Sequence, residues 1–173
     1  QADYQAPLLL KNRHLLTVYP TLFRSIDAAN YRRERITTSD EDFVDIDFSE
    51  VNSNKLVIIL HGLEGDSTRK YVLGMVHIFN EAGFDTASFN FRGCSGEPNN
   101  HLAARGKYDS IHLVGFSLGG NVTLKYLGEH HTAAAKLISS AVAISVPCDL
   151  ASGAVELEKR ENRVYMHRFI RNL

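Results

Sequence analysis

The sequence predicts an α/β fold: an incomplete, mostly parallel sheet with helices on both faces, led in by an N-terminal antiparallel hairpin. Three observations predict it. Residues 55–60 (KLVIIL), 111–114 (IHLV) and 138–146 (ISSAVAISV) are mostly apolar runs of strand length, as expected of parallel strands covered on both faces. Stretches of helical periodicity separate such strands, and strand–helix alternation indicates parallel crossovers. Residues 34–38 and 43–48 alternate polar and apolar side chains around Ser39-Asp40-Glu41-Asp42, the pattern of a hairpin.

In chain order, residues 1–32 are a mixed lead-in in which Tyr19-Pro20 marks a break. The hairpin and strand 55–60 follow. A helix is expected over 69–82, closed by Gly83, with Val72, Met75, Val76 and Phe79 on one face. Residues 85–91 form the next strand, and Arg92-Gly93-Cys94-Ser95-Gly96-Glu97-Pro98 a loop. Strand 111–116 leads through a turn into a helix closed by Gly128, and strand 138–146 ends at Pro147-Cys148-Asp149. Residues 154–173 read as a basic helix with Met166, Phe169, Ile170 and Leu173 as its apolar stripe. The chain divides into a lead-in (1–32), a core (33–150) and the start of a cap helix (151–173). There is no internal repeat and no low-complexity segment.

A chain of 173 residues with a formal net charge of -1 fits one domain and gives no sign of a nucleic-acid-binding surface. Two cysteines, Cys94 and Cys148, are too few for a disulfide framework and lack metal-ligand spacing. Cys94 reads as a small apolar residue packed near a strand end. No apolar run approaches the ~20 residues that span a bilayer. The chain starts at Gln1, and a cytoplasmic location is the expectation.

The chemistry is carried by Gly115-Phe116-Ser117-Leu118-Gly119, a G-x-S-x-G sequence with a strand before it and a helix after it. That context is the nucleophile elbow of an α/β-hydrolase. The turn strains the serine backbone, lifts its hydroxyl clear of the sheet, and points the Leu118 N–H at the same space. A second segment agrees. Strand 55–60 ends in His61-Gly62-Leu63-Glu64-Gly65, where such folds place the other half of the oxyanion hole, here the Leu63 N–H. One such donor lowers a barrier by about 3 kcal/mol. His61 itself reads as a structural histidine. Leu63, Arg92, Ser117 and Asp149 all fall at carboxyl ends of strands, where ligands bind in parallel sheets.

These residues resemble the YheT-like branch of the α/β-hydrolases, which includes plant embryogenesis-associated proteins and animal abhydrolase-domain phospholipases. The resemblance rests on Asn12-Arg13-His14-Leu15-Leu16-Thr17, Leu60-His61-Gly62-Leu63-Glu64-Gly65 and Asn90-Phe91-Arg92-Gly93-Cys94-Ser95-Gly96-Glu97. It continues through Val114-Gly115-Phe116-Ser117-Leu118-Gly119-Gly120-Asn121-Val122 and Ser145-Val146-Pro147-Cys148-Asp149-Leu150. It implies a serine hydrolase of carboxylic esters with short- to medium-chain acyl groups or lipid esters as substrates. Ser117 takes the nucleophile position, and Leu63 and Leu118 the oxyanion positions. No metal or organic cofactor is implied.

Two departures matter. The family carries a full crossover helix before the elbow strand, whereas only residues 98–110 fill that space here. The family's acid and histidine lie on later loops, so the chain is expected to be a truncated piece without a base for its serine, a weak nucleophile on its own. His112 lies roughly 16 Å back along the strand, and His130 and His131 roughly 20 Å along the following helix. His77 lies within the first helix, His14 in the lead-in and His101 in the short crossover. His167, on the final helix, is the histidine that folding over would bring to the site. Asp149 is the candidate acid, with a helix N-cap as the alternative. The final helix reads as the start of a cap, with a membrane-surface helix as the alternative. Two rival readings stay open: a non-catalytic binding module with the same elbow, and an acyltransferase using the same serine. The missing later strands predict self-association through an unpaired edge of strand 138–146.

Overall fold

The structure, a computed structural model, describes residue 7 and residues 12–37, 42–63, 65–92, 108–163 and 165–167. Among the described residues six strands form one sheet in the order β1-β2-β4-β3-β5-β6. The hairpin is β1 (Arg32–Thr37) and β2 (Phe43–Ser49), paired antiparallel, and β2 also runs antiparallel to β4 (Asp85–Phe89). The other pairings, β4 with β3 (Lys55–Leu60), β3 with β5 (Ser110–Phe116), and β5 with β6 (Ile138–Ile144), are parallel. The mostly parallel sheet with its antiparallel lead-in is therefore the one the sequence predicts.

Side chains alternate across β3, as the strand period of two requires. Leu56 joins Val44, Ile46, Phe48, Ala87 and Phe89 in one apolar cluster. Val57 and Ile59 join Val72, Val76 and Val114 in the other, under helix α2 (Lys70–Glu81). Gly83 ends α2 as expected: its φ is +79°, and the bonds Gly83 N–H to Asn80 O and Phe84 N–H to Phe79 O form a Schellman closure.

Four local expectations shift. Helix α1 (Arg13–Phe23) runs through Pro20 instead of breaking at it. Proline in the last turn forfeits only its own N–H, and its carbonyl still accepts from Arg24. Gly128 does not close the elbow helix: α3 (Leu118–Glu129) is capped at His130 and followed at once by α4 (His131–Leu137). Thr132-Ala133-Ala134-Ala135 favours helix there, so the chain reinitiates one. Strands β4 and β6 stop at Phe89 and Ile144, two residues early in each case. In place of one helix over 154–173, α5 (Leu150–Glu158) is followed by a 3-10 turn over Arg160–Asn162. Phe169, Ile170 and Leu173 of the expected stripe, like Cys94 and His101, lie outside the described residues.

The hairpin is locked by charges that alternation alone would leave on a polar face. Asp45 and Asp47 are fully buried. Arg35 grips Asp45 through two hydrogen bonds at 2.8 and 2.9 Å, and Arg33 grips Asp47 through two at 2.7 Å. Asp47 also accepts from the Ser67 hydroxyl and the Asn90 amide, tying β2 to the segments that follow β3 and β4. Burial alone would raise the Asp47 pKa, but Arg33, Ser67 and Asn90 together hold it below the ordinary carboxylate value.

Removing one member of a buried, fully bonded charge pair strands the other. Asp47→Ala is expected to cost about 3 kcal/mol of unfolding free energy, read by urea denaturation. A cost within about 0.5 kcal/mol, the range of neutral surface substitutions, would show that the network does not hold the hairpin.

Candidate active site

Strands β3 and β5 are neighbours, with Leu60 opposite Gly115. From β3 the chain crosses to β4 on one side, and β5 lies on the other. The connections leaving β3 and β5 therefore part at their carboxyl ends, a topological switch point where parallel sheets open a crevice. His61 follows β3 and Ser117 follows β5 at that point.

Ser117 has φ 50° and ψ -112°, a region a side chain rarely adopts. Such strain costs on the order of 1–3 kcal/mol and persists only where the surroundings enforce it. Here the Ser117 N–H donates to Ile144 O at 2.9 Å, and its carbonyl accepts from Asn121 N–H at 3.0 Å. The glycines permit the close approach. A Cβ at Gly115 would lie 2.5 Å from Gly119 O and 2.6 Å from Thr123 Oγ1. One at Gly119 would run into the Leu60 carbonyl and lie 2.5 Å from His61 O. At Gly120 it would meet Val146 Cγ2 at 2.6 Å.

Ser117 is half-buried, and its hydroxyl has no hydrogen-bond partner among the described residues. The same holds for the N–H groups of Leu63 and Leu118. Leu118 opens α3, where the first N–H groups of a helix have no intrahelical acceptor. The Leu63 side chain is exposed. Gly62 brings the two segments together: a Cβ on it would lie 3.3 Å from Ser117 Cβ.

His61 is buried, with both ring nitrogens spent. The Phe91 N–H donates to Nε2 at 3.1 Å, which places the proton on Nδ1, and Nδ1–H donates to Gly62 O at 2.7 Å. Burial holds its pKa below the ordinary value. It is a neutral strut with no nitrogen left for Ser117, in line with the structural reading of the sequence.

Other described histidines lie elsewhere. His112 bonds Ser140 and Ser110 beside the amino end of β5. His77 donates to Asp27 O, and His130 packs on Tyr126 at the far end of α3. His167 shares a shallow depression with Glu158, Arg163 and Met166. Asp149 is exposed and caps α5, accepting from the Ala151 and Ser152 N–H groups and the Ser152 hydroxyl. Those bonds lower its pKa, the Ser152 hydroxyl most. The structure thus gives Asp149 the capping alternative and brings no histidine to it among the described residues. Cys148 is an exposed free thiol. No cluster of metal ligands exists among the described residues, and no described helix is long and apolar enough to cross a membrane.

Sequence reading missed three supports of the site. Tyr71 receives the Gly62 N–H at 2.8 Å. Asn121 donates to Pro147 O at 3.1 Å, holding the segment after β6 against the elbow helix. Ser145, next to Ile144, has a positive φ of 53°. Only the third glycine of the elbow string, Gly120, signalled a close neighbour there.

His61 gives a pH dependence whose sign follows from its burial. Unfolded, it titrates near 6.5; folded, it resists the proton. Its contribution to stability is therefore full above about pH 6.5 and is lost as pH falls toward the folded value. Wild type should lose up to ~1.4 kcal/mol per pH unit more than His61→Asn in that window. Parallel stability curves for the two in denaturant titrations would contradict it.

No family model matches the chain. It is 30% identical to YheT of Escherichia coli, across 94% of this chain and 53% of that protein. It is 33% identical to the monoacylglycerol lipase of Saccharomyces cerevisiae, across 60% of this chain and 27% of that protein. The chain thus spans about half the length of YheT and less of the lipase. Among solved structures, the Pyrococcus furiosus esterase Pf2001 superposes with a TM-score of 0.62 at 23% identity, covering 79% of this chain and 62% of that one. That likeness speaks for the fold. The strained serine, the loop after β3 and the likeness to YheT agree, and the chain is similar to the YheT-like branch of the α/β-hydrolases.

Proposed function

We propose that this chain carries the nucleophile and oxyanion half of a serine hydrolase of carboxylic esters, with lipid esters among its substrates. The observation that carries the reading is the backbone of Ser117, held at φ 50°, with its hydroxyl and the N–H groups of Leu63 and Leu118 all without partners among the described residues. Strain of that kind is retained where it serves a site. The lipase named among the relatives supports lipid esters as the substrate class.

In this reading Ser117 Oγ attacks the ester carbonyl carbon, and a histidine takes its proton. The Leu63 and Leu118 N–H groups hold the resulting oxyanion. Collapse expels the alcohol, which leaves with the proton, and water then releases the acid from the acyl-enzyme. His61, His77 and His112 are bonded elsewhere, and no described histidine bonds the Ser117 hydroxyl, so we place the activating histidine and its acid outside these 173 residues. A metal or organic cofactor has no part in the reading.

That same absence of a described base favours a second reading for the isolated chain: a non-catalytic binding module with an intact elbow. Fluorophosphonate labelling separates the two. The full-length protein should label and hydrolyse p-nitrophenyl esters, and Ser117→Ala should abolish labelling and lower kcat by roughly 10⁴-fold or more. The folded 173-residue chain alone should not label. A full-length protein that never labels would leave only the binding module.

The reading also extends to association. Among the described residues β6 has no neighbour on its outer side, and Ser139, Ser140, Ala141 and Val142 are exposed along it. Unpaired strand edges recruit other strands. The isolated chain is expected to sediment as oligomers, and Val142→Lys to shift it toward monomer; a monodisperse monomer in both cases would refute this.

A further inference from the structure

Two consecutive N–H groups follow β3, and they have different fates. That of Gly62 is spent on the Tyr71 hydroxyl at 2.8 Å. That of Leu63 has no acceptor among the described residues. The carbonyl between them, Gly62 O, is held by His61 Nδ1–H at 2.7 Å and by the Gly65 N–H at 3.0 Å. In a planar trans peptide the C=O and the following N–H point in opposite directions. Pinning Gly62 O therefore sets the direction of the Leu63 N–H, while Tyr71 pins the peptide before it.

Tyr71 is built to do this. It lies in the first turn of α2, and its ring packs on Phe116, the residue before Ser117, with centroids 4.9 Å apart. Its hydroxyl occupies space that Gly65 keeps open, since a Cβ at Gly65 would lie 2.9 Å from it. The same hydroxyl borders the nucleophile's neighbourhood: a Cβ at Gly62 would lie 3.7 Å from it and 3.3 Å from Ser117 Cβ. Burial raises the Tyr71 pKa, so the phenol stays protonated and neutral at physiological pH.

We propose that Tyr71 is a positioning residue of the Ser117 site: by taking the Gly62 N–H and packing on Phe116, it sets the oxyanion loop against the elbow so that the Leu63 N–H is presented to the acyl oxygen. This rests on the ester-hydrolase reading above. A phenylalanine at 71 keeps the ring contact but releases the Gly62 N–H, and the loop loses one of its clamps. The damage falls on the developing oxyanion, which depends on donor placement, more than on ground-state binding.

The test uses the full-length protein and p-nitrophenyl acetate. Tyr71→Phe should lower kcat roughly ten- to hundredfold, as a misplaced site does, with KM changed by less than about twofold. 3-Fluorotyrosine at 71, assayed at a pH where the phenol stays protonated, keeps the ring and hydroxyl but weakens the oxygen as an acceptor, and should lower kcat. It keeps the test decisive if the phenylalanine variant does not fold. Wild-type kcat in Tyr71→Phe, a raised KM with kcat intact, or no response to fluorination would each overturn the role. A wild type that neither hydrolyses the ester nor labels at Ser117 would instead defeat the serine reading and take this inference with it.

Discussion

The contact on which the site depends is the approach of the first turn of α3 to the ends of β3 and β5. Gly119 sits against the Leu60 and His61 carbonyls, and Gly115 against Gly119 O and Thr123 Oγ1. With no Cβ at either position, the helix starts almost on top of the sheet. The residue between strand and helix must then reverse the chain in one step, and that forces Ser117 to its positive φ. Placement of Ser117 is thus a consequence of backbone packing. The strain is held by ordinary hydrogen bonds from neighbouring segments, Ile144 on β6 and Asn121 on α3.

The opposite wall of the site is held by polar groups. The loop after β3 has few apolar anchors, so hydrogen bonds fix it at several points. His61 and Tyr71 hold the Gly62 peptides, and Ser67 is held by Asp47, Asn90 and Tyr31. Because Asp47 is itself gripped by Arg33, the antiparallel hairpin is linked through one buried network to the loop beside Ser117. Buried polar networks of this kind are costly unless complete, and complete ones define a single arrangement. The hairpin's energetic role therefore reaches beyond covering an edge of the sheet.

In the proposed reading, Ser117, two N–H groups without partners among the described residues and a loop of fixed geometry would supply the attacking atom and the electrostatic half of acyl transfer. Proton transfer is a separate requirement, and His61, His77 and His112 are committed to hydrogen bonds elsewhere. Division of the machinery along the chain is natural in an open parallel sheet. Each strand end contributes one loop to the same crevice, so the groups of one site are scattered in sequence and assembled strand by strand.

The sequence by itself determined the α/β class, the hairpin, the limits of β3, the Gly83 closure of α2, and Ser117 at the apex of its turn. These are local matters: strand runs, helical periodicity and glycine placement act through neighbours a few residues away. Tertiary structure decided what depends on distant partners. Asp45 and Asp47 look like the polar face of a hairpin until Arg33, Arg35, Ser67 and Asn90 are seen to close over them. Tyr71 looks like one more residue of an apolar helix face until its hydroxyl is found on the Gly62 N–H. Asp149, at a strand end, was a candidate acid with a helix N-cap as the alternative, and its bonds to Ala151 and Ser152 show it capping α5. Hydrogen bonds to residues far along the chain leave no periodic trace in sequence, which is why the strained turn at Ser117 was legible and its supports were not.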